Sequence, residues 1–468
     1  MIDKRNLSFN TTITSPASVL GLKKILQTIK EETKKGKYHL LIRDYQLIFG
    51  PGLNTNINIP HVISQNNNTF IVDLIIINNH NDAERLGTKH LKKTPFLEPL
   101  LYNSIISTTN INDWKKQRKL FQPAFNVNEE LKQLIPISNE RSKYCSSLLK
   151  ENINTNPINM NEFLLNETMA QLQLALFGLS IEFQEETNKK IRNTFNGLDL
   201  DYAKDYYSKL MDEIKTKKAN GPLSNVFKSY NASNKELFGN TTIFSFAGHD
   251  TTGNTLSWLV YELCIHPEYQ FQLQSEIELF WKVQGNNPIK YEDFKRLPFM
   301  TKCIMETLRL WSPIPNGTYR ELIDDDYILN HKNEKVMIPK GTYIQIPNWT
   351  RHRDPELWGP DSSIFNPNRE FKDDELWNNS VINSYNPSSN RFSPFTYGPR
   401  DCIGKNFSQI EMRLILLHLL KDFSFSLTKE QLNKYKDDDM GLNTFTLGPR
   451  DIYDPTKNGL YVNIKSKL

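Results

Sequence analysis

Cys402 stands inside the run Phe395-Thr-Tyr-Gly398-Pro-Arg400-Asp-Cys402-Ile-Gly404, which passes directly into an apolar helical pattern. Its two glycines allow a tight turn and a close approach of backbone to a ligand. A cysteine at the mouth of a helix meets free N–H groups and the positive dipole end, and both favour a thiolate. Arg400 can hold an anion, and Phe395 can shield the sulfur from water. No second cysteine lies nearby, so a single axial metal bond suits this sulfur better than a tetrahedral zinc site. A cysteine-ligated haem, whose thiolate pushes electron density onto iron, meets that description. The competing reading is a buried structural cysteine, and it is kept for Cys145, Cys264 and Cys303.

A second chemical signal is Ala247-Gly248-His249-Asp250-Thr251-Thr252, inside the apolar helical run Thr242–Ile265 that ends before Pro267. Glycine and paired threonines in mid-helix lower helix propensity, and a threonine hydroxyl can bond back to a carbonyl and loosen the ladder. Such a helix can make room for a small molecule, or it is simply kinked. Glu306-Thr-Leu-Arg309 places a carboxylate and a guanidinium on one helical face. Phe365-Asn-Pro367-Asn-Arg369 supplies a second guanidinium, and Trp114-Lys-Lys-Gln-Arg118 pairs an aromatic with a cation on one face. Read alone, both helical pairs also suit ordinary amphipathic helices.

The elements that must position these groups are mostly helical. Residues ~110–312 carry helical patterning, and after Cys402 the residues Phe407, Ile410, Leu414 and Leu417 recur at three and four. Segment 38–77 is rich in β-branched and aromatic residues, and 318–350 alternates as strands joined by turns, notably at Pro339-Lys340-Gly341; Gly459–Ile464 reads as a last strand. No repeat or linker divides the 468 residues. The expectation is a mainly α (α+β) architecture, one domain over 1–468. It has a β-rich portion at ~30–80, a helical core at ~110–312, β segments at ~318–350 and the cysteine loop with its helix at 395–421. The 57 Lys+Arg and 53 Asp+Glu leave a net charge of +4, too small for a nucleic-acid binder. Four scattered cysteines without a CxxC fit a reducing compartment. No apolar run reaches the ~18–20 residues that span a bilayer, and the first thirty residues lack a signal-peptide centre. The expected location is intracellular, cytoplasmic or peripheral at the endoplasmic reticulum.

Together the motifs resemble the cytochrome P450 family, whose haem-ligand signature is F-x-x-G-x-R-x-C-x-G. Phe395, Gly398, Arg400, Cys402 and Gly404 match every fixed position. The other motifs occur in the family's order and extend the likeness over residues ~112–421. The resemblance implies the cytochrome P450 fold around haem b, with Cys402 as the iron ligand. It also implies a haem-thiolate monooxygenase that inserts one atom of O2 into a lipophilic substrate. Asp250 and Thr251 would manage protons, with Ala247 beside the haem. Trp114 and Arg118, with Arg320 as a further contact, would hold the propionates, and Glu306, Arg309 and Arg369 would lock the core. Electrons would come from NADPH through a separate reductase, an acidic donor docking on Lys115, Lys116, Lys119, Lys405 and Arg413. The protein would act as a monomer, without nucleic acid.

Rival readings are a thiolate-haem isomerase, dehydratase or peroxygenase, and a non-catalytic haem protein. A serine hydrolase is disfavoured, since no G-x-S-x-G occurs. The family's membrane-bound members carry a spanning helix that this sequence lacks. Only 133 positions separate Arg118 from Thr251 (251 − 118), so the distal access region is expected to be short. Phe96, Leu97 and Leu100 are read as pocket lining or core, with core favoured.

Overall fold

The computed structural model describes residues 31, 35–37, 39–40, 55–63, 68–126, 130–153, 157–197, 200–216, 218–330, 333–375, 389–435, 437–443 and 445–467. Two strands come first, β1 (Thr55–Ile63) and β2 (Asn68–Ile76), paired antiparallel with Thr55 opposite Ile76. They realise part of the β-rich segment expected at 38–77, most of whose residues 38–54 lie outside the described set.

A helical stretch follows: α1 (His80–Lys89), α2 (Ile111–Phe121), α3 (Lys132–Glu151), α4 (Met160–Gln171), α5 (Ile181–Gly197), α6 (Leu200–Lys215), α7 (Pro222–Ser229), α8 (Asn234–Ile265), α9 (Pro267–Gln284) and α10 (Pro298–Leu310). The longest, α8, has 32 residues and so spans about 48 Å. The Ser233 hydroxyl opens it by accepting the Glu236 N–H at 3.2 Å, and His266-Pro267 stops it, since proline disfavours helix in the residue before it. Helix α8 is buried around nearly its whole circumference, as a central helix must be to be apolar on every side. Trp258 stacks on Trp311 with ring centroids 3.8 Å apart, fixing the end of α10 against it.

Four short strands come next: β3 (Thr318–Glu321), β4 (Asp326–Leu329), β5 (Lys335–Ile338) and β6 (Tyr343–Ile346). The main sheet has the order β1-β2-β6-β3, with β2 and β6 parallel and the other pairs antiparallel. Gly341, at φ +86°, makes the turn into β6 that Pro339-Lys340-Gly341 suggested. Beyond the cysteine loop lie α11 (Lys405–Asp422), β7 (Phe423–Leu427), β8 (Gly441–Asn443), β9 (Leu447–Pro449) and β10 (Tyr461–Ser466). Phe407, Ile410, Leu414 and Leu417 of α11 are all buried, as their spacing required. This is the mainly α fold with small sheets that the patterning led us to expect.

A buried ion triad ties α10 to the segment before the cysteine loop. Arg309 makes a bidentate pair with Glu306 at 2.8 and 2.7 Å, and Arg369 Nε reaches the same carboxylate at 3.2 Å. Arg309 also donates to the carbonyls of His352 and Ser362 at 2.7 and 2.6 Å, so its remaining donors are used. Removing the carboxylate would leave the buried Arg309 without its ion-pair partner, while Arg369 would keep Asp361 at 3.0 Å. Glu306→Ala is therefore expected to lose about 3–5 kcal/mol of stability, read as a lower urea midpoint.

Candidate functional site

The cysteine loop is closed by its own backbone. Cys402 N–H donates to the Phe395 carbonyl at 3.0 Å and Asp401 N–H to that of Gly398 at 3.1 Å. Gly398 sits at φ +57°, where a side chain would be strained, and Thr396 adopts φ +64° without being glycine. That residue carries a strain of order 1 kcal/mol, a cost accepted at few places outside functional loops. Gly404 ends the loop and stands at the N-terminus of α11, where an added Cβ would lie at ordinary contact distance, 4.0 Å, from Sγ. From α2, Arg118 clasps the loop through the Asp401 carbonyl and carboxylate, both at 2.7 Å.

The sulfur borders a recess of about 850 Å³ that Trp114, Arg118, Phe125, Pro399, Ile403 and Lys405 help to line. Cys402 is exposed toward that space, while protein crowds it on its other sides. Burial pushes the thiol's pKa up, opposed by the Gly404 N–H and by Arg118 and Lys405. The helix end was expected to favour the thiolate. In this environment desolvation outweighs it, so the anion needs a further positive partner. Among the described residues no cluster of His, Cys, Asp or Glu could hold a bare metal ion.

Close to this loop lies a group of cations with no carboxylate partner among the described residues. Arg320 of β3 and Lys93 both donate to the Thr318 hydroxyl, Lys93 at 2.9 Å. Arg320 is fully buried, and its Nε and Nη2 find no acceptor among the described residues. Arg400, two residues before Cys402, stacks over the Trp114 ring at 4.6 Å and leaves its Nε unpaired. Burial pushes Arg320 down to about 10; burial and the positive charges of Arg320 and Arg118 push Arg400 down to about 9. Lys93 falls well below its ordinary value, first by burial and then by Arg320 and Arg400. Uncompensated buried charge of this kind is costly, and a bound dianion would relieve it. The two carboxylates of a haem are such a dianion, so these residues fit the group that the motif implied. Sequence reasoning gave Lys93 no role, although the run Lys89-His90-Leu91-Lys92-Lys93 is dense in basic residues.

On α8 the motif residues diverge. The Thr251 hydroxyl donates to the Ala247 carbonyl at 3.0 Å, and Thr255 repeats this to Thr251 at 2.8 Å. The helix stays continuous, but two carbonyls share their acceptor capacity with side chains. Gly248 and Gly253 are small for a packing reason, because an added Cβ would meet Leu172 or Leu165 at 2.7 Å. Asp250 is buried and accepts from Thr446, and burial lifts its pKa to about 6. His249 is buried and neutral, its pKa pushed to about 3 by burial, with Nδ1 2.8 Å from the Ser245 carbonyl.

Lys115, Lys116 and Lys119 are exposed, and Lys115, Lys119 and Lys405 border the recess. Arg413 does not join them. It is buried, bonding Gln409 and, at 2.9 Å, Thr301, because α11 is enclosed on the side where it points. Phe96 packs edge-on against Tyr319 and Tyr343, Leu100 packs against the core, and Leu97 is exposed. Cys145 and Cys303 are buried, as structural cysteines should be, while Cys264 is half-buried.

The family model described as Cytochrome P450 matches residues 32–211 and 199–452. Cytochrome P450 3A29 of Sus scrofa is 29% identical over 372 residues, 69% of this chain and 70% of that protein. Cytochrome P450 3A12 of Canis lupus familiaris is 29% identical over 376 residues, 70% of this chain and 71% of that protein. Cytochrome P450 4F8 of Homo sapiens reaches 36% over a shorter 191 residues, 41% of this chain and 34% of its own length.

The unpaired cations give a test with opposite signs. Arg320→Met should stabilise the ligand-free chain by about 1–3 kcal/mol in thermal melts, since it removes an unsatisfied buried charge. It should weaken retention of a dianionic ligand, measured by transfer of haem to apomyoglobin.

Proposed function

The chain belongs to the cytochrome P450 family and is a haem-dependent monooxygenase of that general class, and from this premise we propose how its residues divide the work. Cys402 ligates the iron through its sulfur, held by the closed loop Phe395–Gly404 and clasped by Arg118. Lys93, Arg320 and Arg400, with Trp114 and Arg118 alongside, hold the propionates. The unpaired Arg320 and Arg400 nitrogens are the observation that carries this assignment. Haem bound through a thiolate supplies O2 activation, so that one oxygen atom enters a C–H bond and the other leaves as water.

The remaining steps fall to side chains. Phe395 and Ala247 would flank the haem, and Gly404 adjoins the sulfur. Thr251 presents a hydroxyl in α8 whose proton is already engaged by the Ala247 carbonyl, so it can pass a proton only by turning. Asp250, with its pKa lifted to about 6 by burial, exchanges a proton near neutral pH and serves as the internal donor. Two electrons come from NADPH through a separate reductase, which approaches the rim where Lys115, Lys119 and Lys405 stand. Complementary charge there raises the rate of encounter more than the final affinity. The substrate is a lipophilic small molecule. Residues 1–468 act as one catalytic domain and as a monomer, near the endoplasmic reticulum where such a reductase would meet them. Among the described residues no helix is long and apolar enough to cross a membrane.

Turnover of a lipophilic substrate should require NADPH, reductase and O2 together. Product formed from an isomerisable substrate without them would favour the reductase-free alternative. The charge-reversed variant Lys115→Glu/Lys116→Glu/Lys119→Glu should slow reduction by about tenfold at low salt, converging with wild type as salt rises. Stopped-flow reduction measures this, and substrate-binding spectra should not change.

A further inference from the structure

Asp250 and Thr251 are neighbours in sequence but serve different sides of α8. Successive residues of a helix point about 100° apart. The Thr251 hydroxyl turns back to its own helix at Ala247. Asp250 instead meets the chain between β8 and β9. That chain is anchored on α8 by Trp258 Nε1, which donates to the Leu447 carbonyl at 2.9 Å, and by Phe445, whose ring lies edge-on to Phe246 at 5.5 Å. Leu447 N–H, for its part, donates to the Pro313 carbonyl at 2.9 Å.

The hydrogen bonds behind Asp250 form a series with one direction. Asn161 Nδ2 donates to Asn254 Oδ1 at 2.8 Å and to the Ser257 hydroxyl at 3.0 Å. With its oxygen taken, Asn254 presents Nδ2 to the Thr446 hydroxyl at 2.7 Å. An amide nitrogen can only donate, so Thr446 Oγ1 must accept there. Its single proton is then free for Asp250 Oδ2, which lies within hydrogen-bond reach. All of these side chains are buried, so water does not compete for the sites.

We propose that Thr446 is a positioning residue for Asp250. Its hydroxyl, oriented by Asn254 and Asn161, aims the carboxyl and stabilises its ionised form. The proposal rests on the reading that Asp250 manages protons, and it adds a residue that lies outside every motif of the sequence. Other groups around Asp250 are consistent with it. Arg192 of α5 favours the carboxylate at longer range, and His249 on α8 is neutral. The β8–β9 chain contributes Thr446, which does not titrate, and α4 contributes Glu162, whose carboxylate pairs with Arg192 at 3.1 and 2.8 Å.

Infrared difference spectra of the haem-loaded enzyme, taken against Asp250→Asn, read the Asp250 titration directly. Thr446→Val keeps the shape of the side chain and removes its donor. It should raise the titration midpoint by about one pH unit, the size expected for a lost hydrogen bond to a charged group. Thr446→Ser should restore the midpoint, and the pH profile of coupling (product formed per NADPH consumed) should follow the same two shifts. An unchanged midpoint in Thr446→Val, or a Ser variant that behaves like Val, overturns the proposal, whatever the coupling does. A midpoint that moves while coupling stays flat supports the positioning role and instead contradicts the proton role given to Asp250. Thermal melts of both variants confirm that the comparison is between folded proteins.

Discussion

Positive charge buried without a counter-ion among the described residues is the constraint around which this structure is organised. Arg320 is fully enclosed with two guanidinium nitrogens unpaired, Lys93 shares its one hydroxyl acceptor, and Arg400 rests on an indole face. A chain that could pair these groups internally would do so, as it does for Arg309 and Arg369 on Glu306. The contrast between the two sets is informative. One is satisfied and rigidifies the fold, whereas the other has no carboxylate partner among the described residues, and a bound dianion would relieve it. The sulfur of Cys402, held two residues from Arg400, faces the same need for a positive partner, since burial works against its anion. A ferric porphyrin with two carboxylates answers both demands at once.

The distal helix shows a division of labour of a different kind. Threonine hydroxyls spend their protons on carbonyls one turn back, softening α8 without breaking it. The glycines serve close packing on α4 and the π-helical turn after it, not the opening of the helix. Asp250 is removed from Thr251 by the helical rotation and is held by the C-terminal chain. The placement of the Asp250 carboxyl therefore depends on how that chain is docked, which couples the last part of the sequence to the middle of α8.

How much could be read in advance follows from the range of each contact. The cysteine loop, the Ala247–Thr252 motif and the Glu306–Arg309 pair depend on neighbours within one or two turns, so the sequence showed them as local patterns, and the family resemblance lent them roles that spacing alone left open. Lys93 with Thr318 and Thr446 with Asp250 join residues 225 and 196 positions apart, and no periodicity links such pairs. Arg413 was misplaced for a related reason. An arginine on a helix is exposed by default, and only the packing of α10 and α11 reveals that this one bonds Thr301 in the interior. The two strands β1 and β2 were visible from β-branched runs, but β6, the parallel partner of β2, lies some 270 residues further on.

Thiolate ligation by Cys402 is the claim on which the assignment of the whole site stands. The most direct measurement is the absorption spectrum of the ferrous carbon monoxide adduct in the wild-type chain and in Cys402→Ser. The wild type should show the red-shifted band of sulfur-anion ligation, and the serine variant should lose it or fail to retain haem. An identical spectrum in the two proteins would contradict the account.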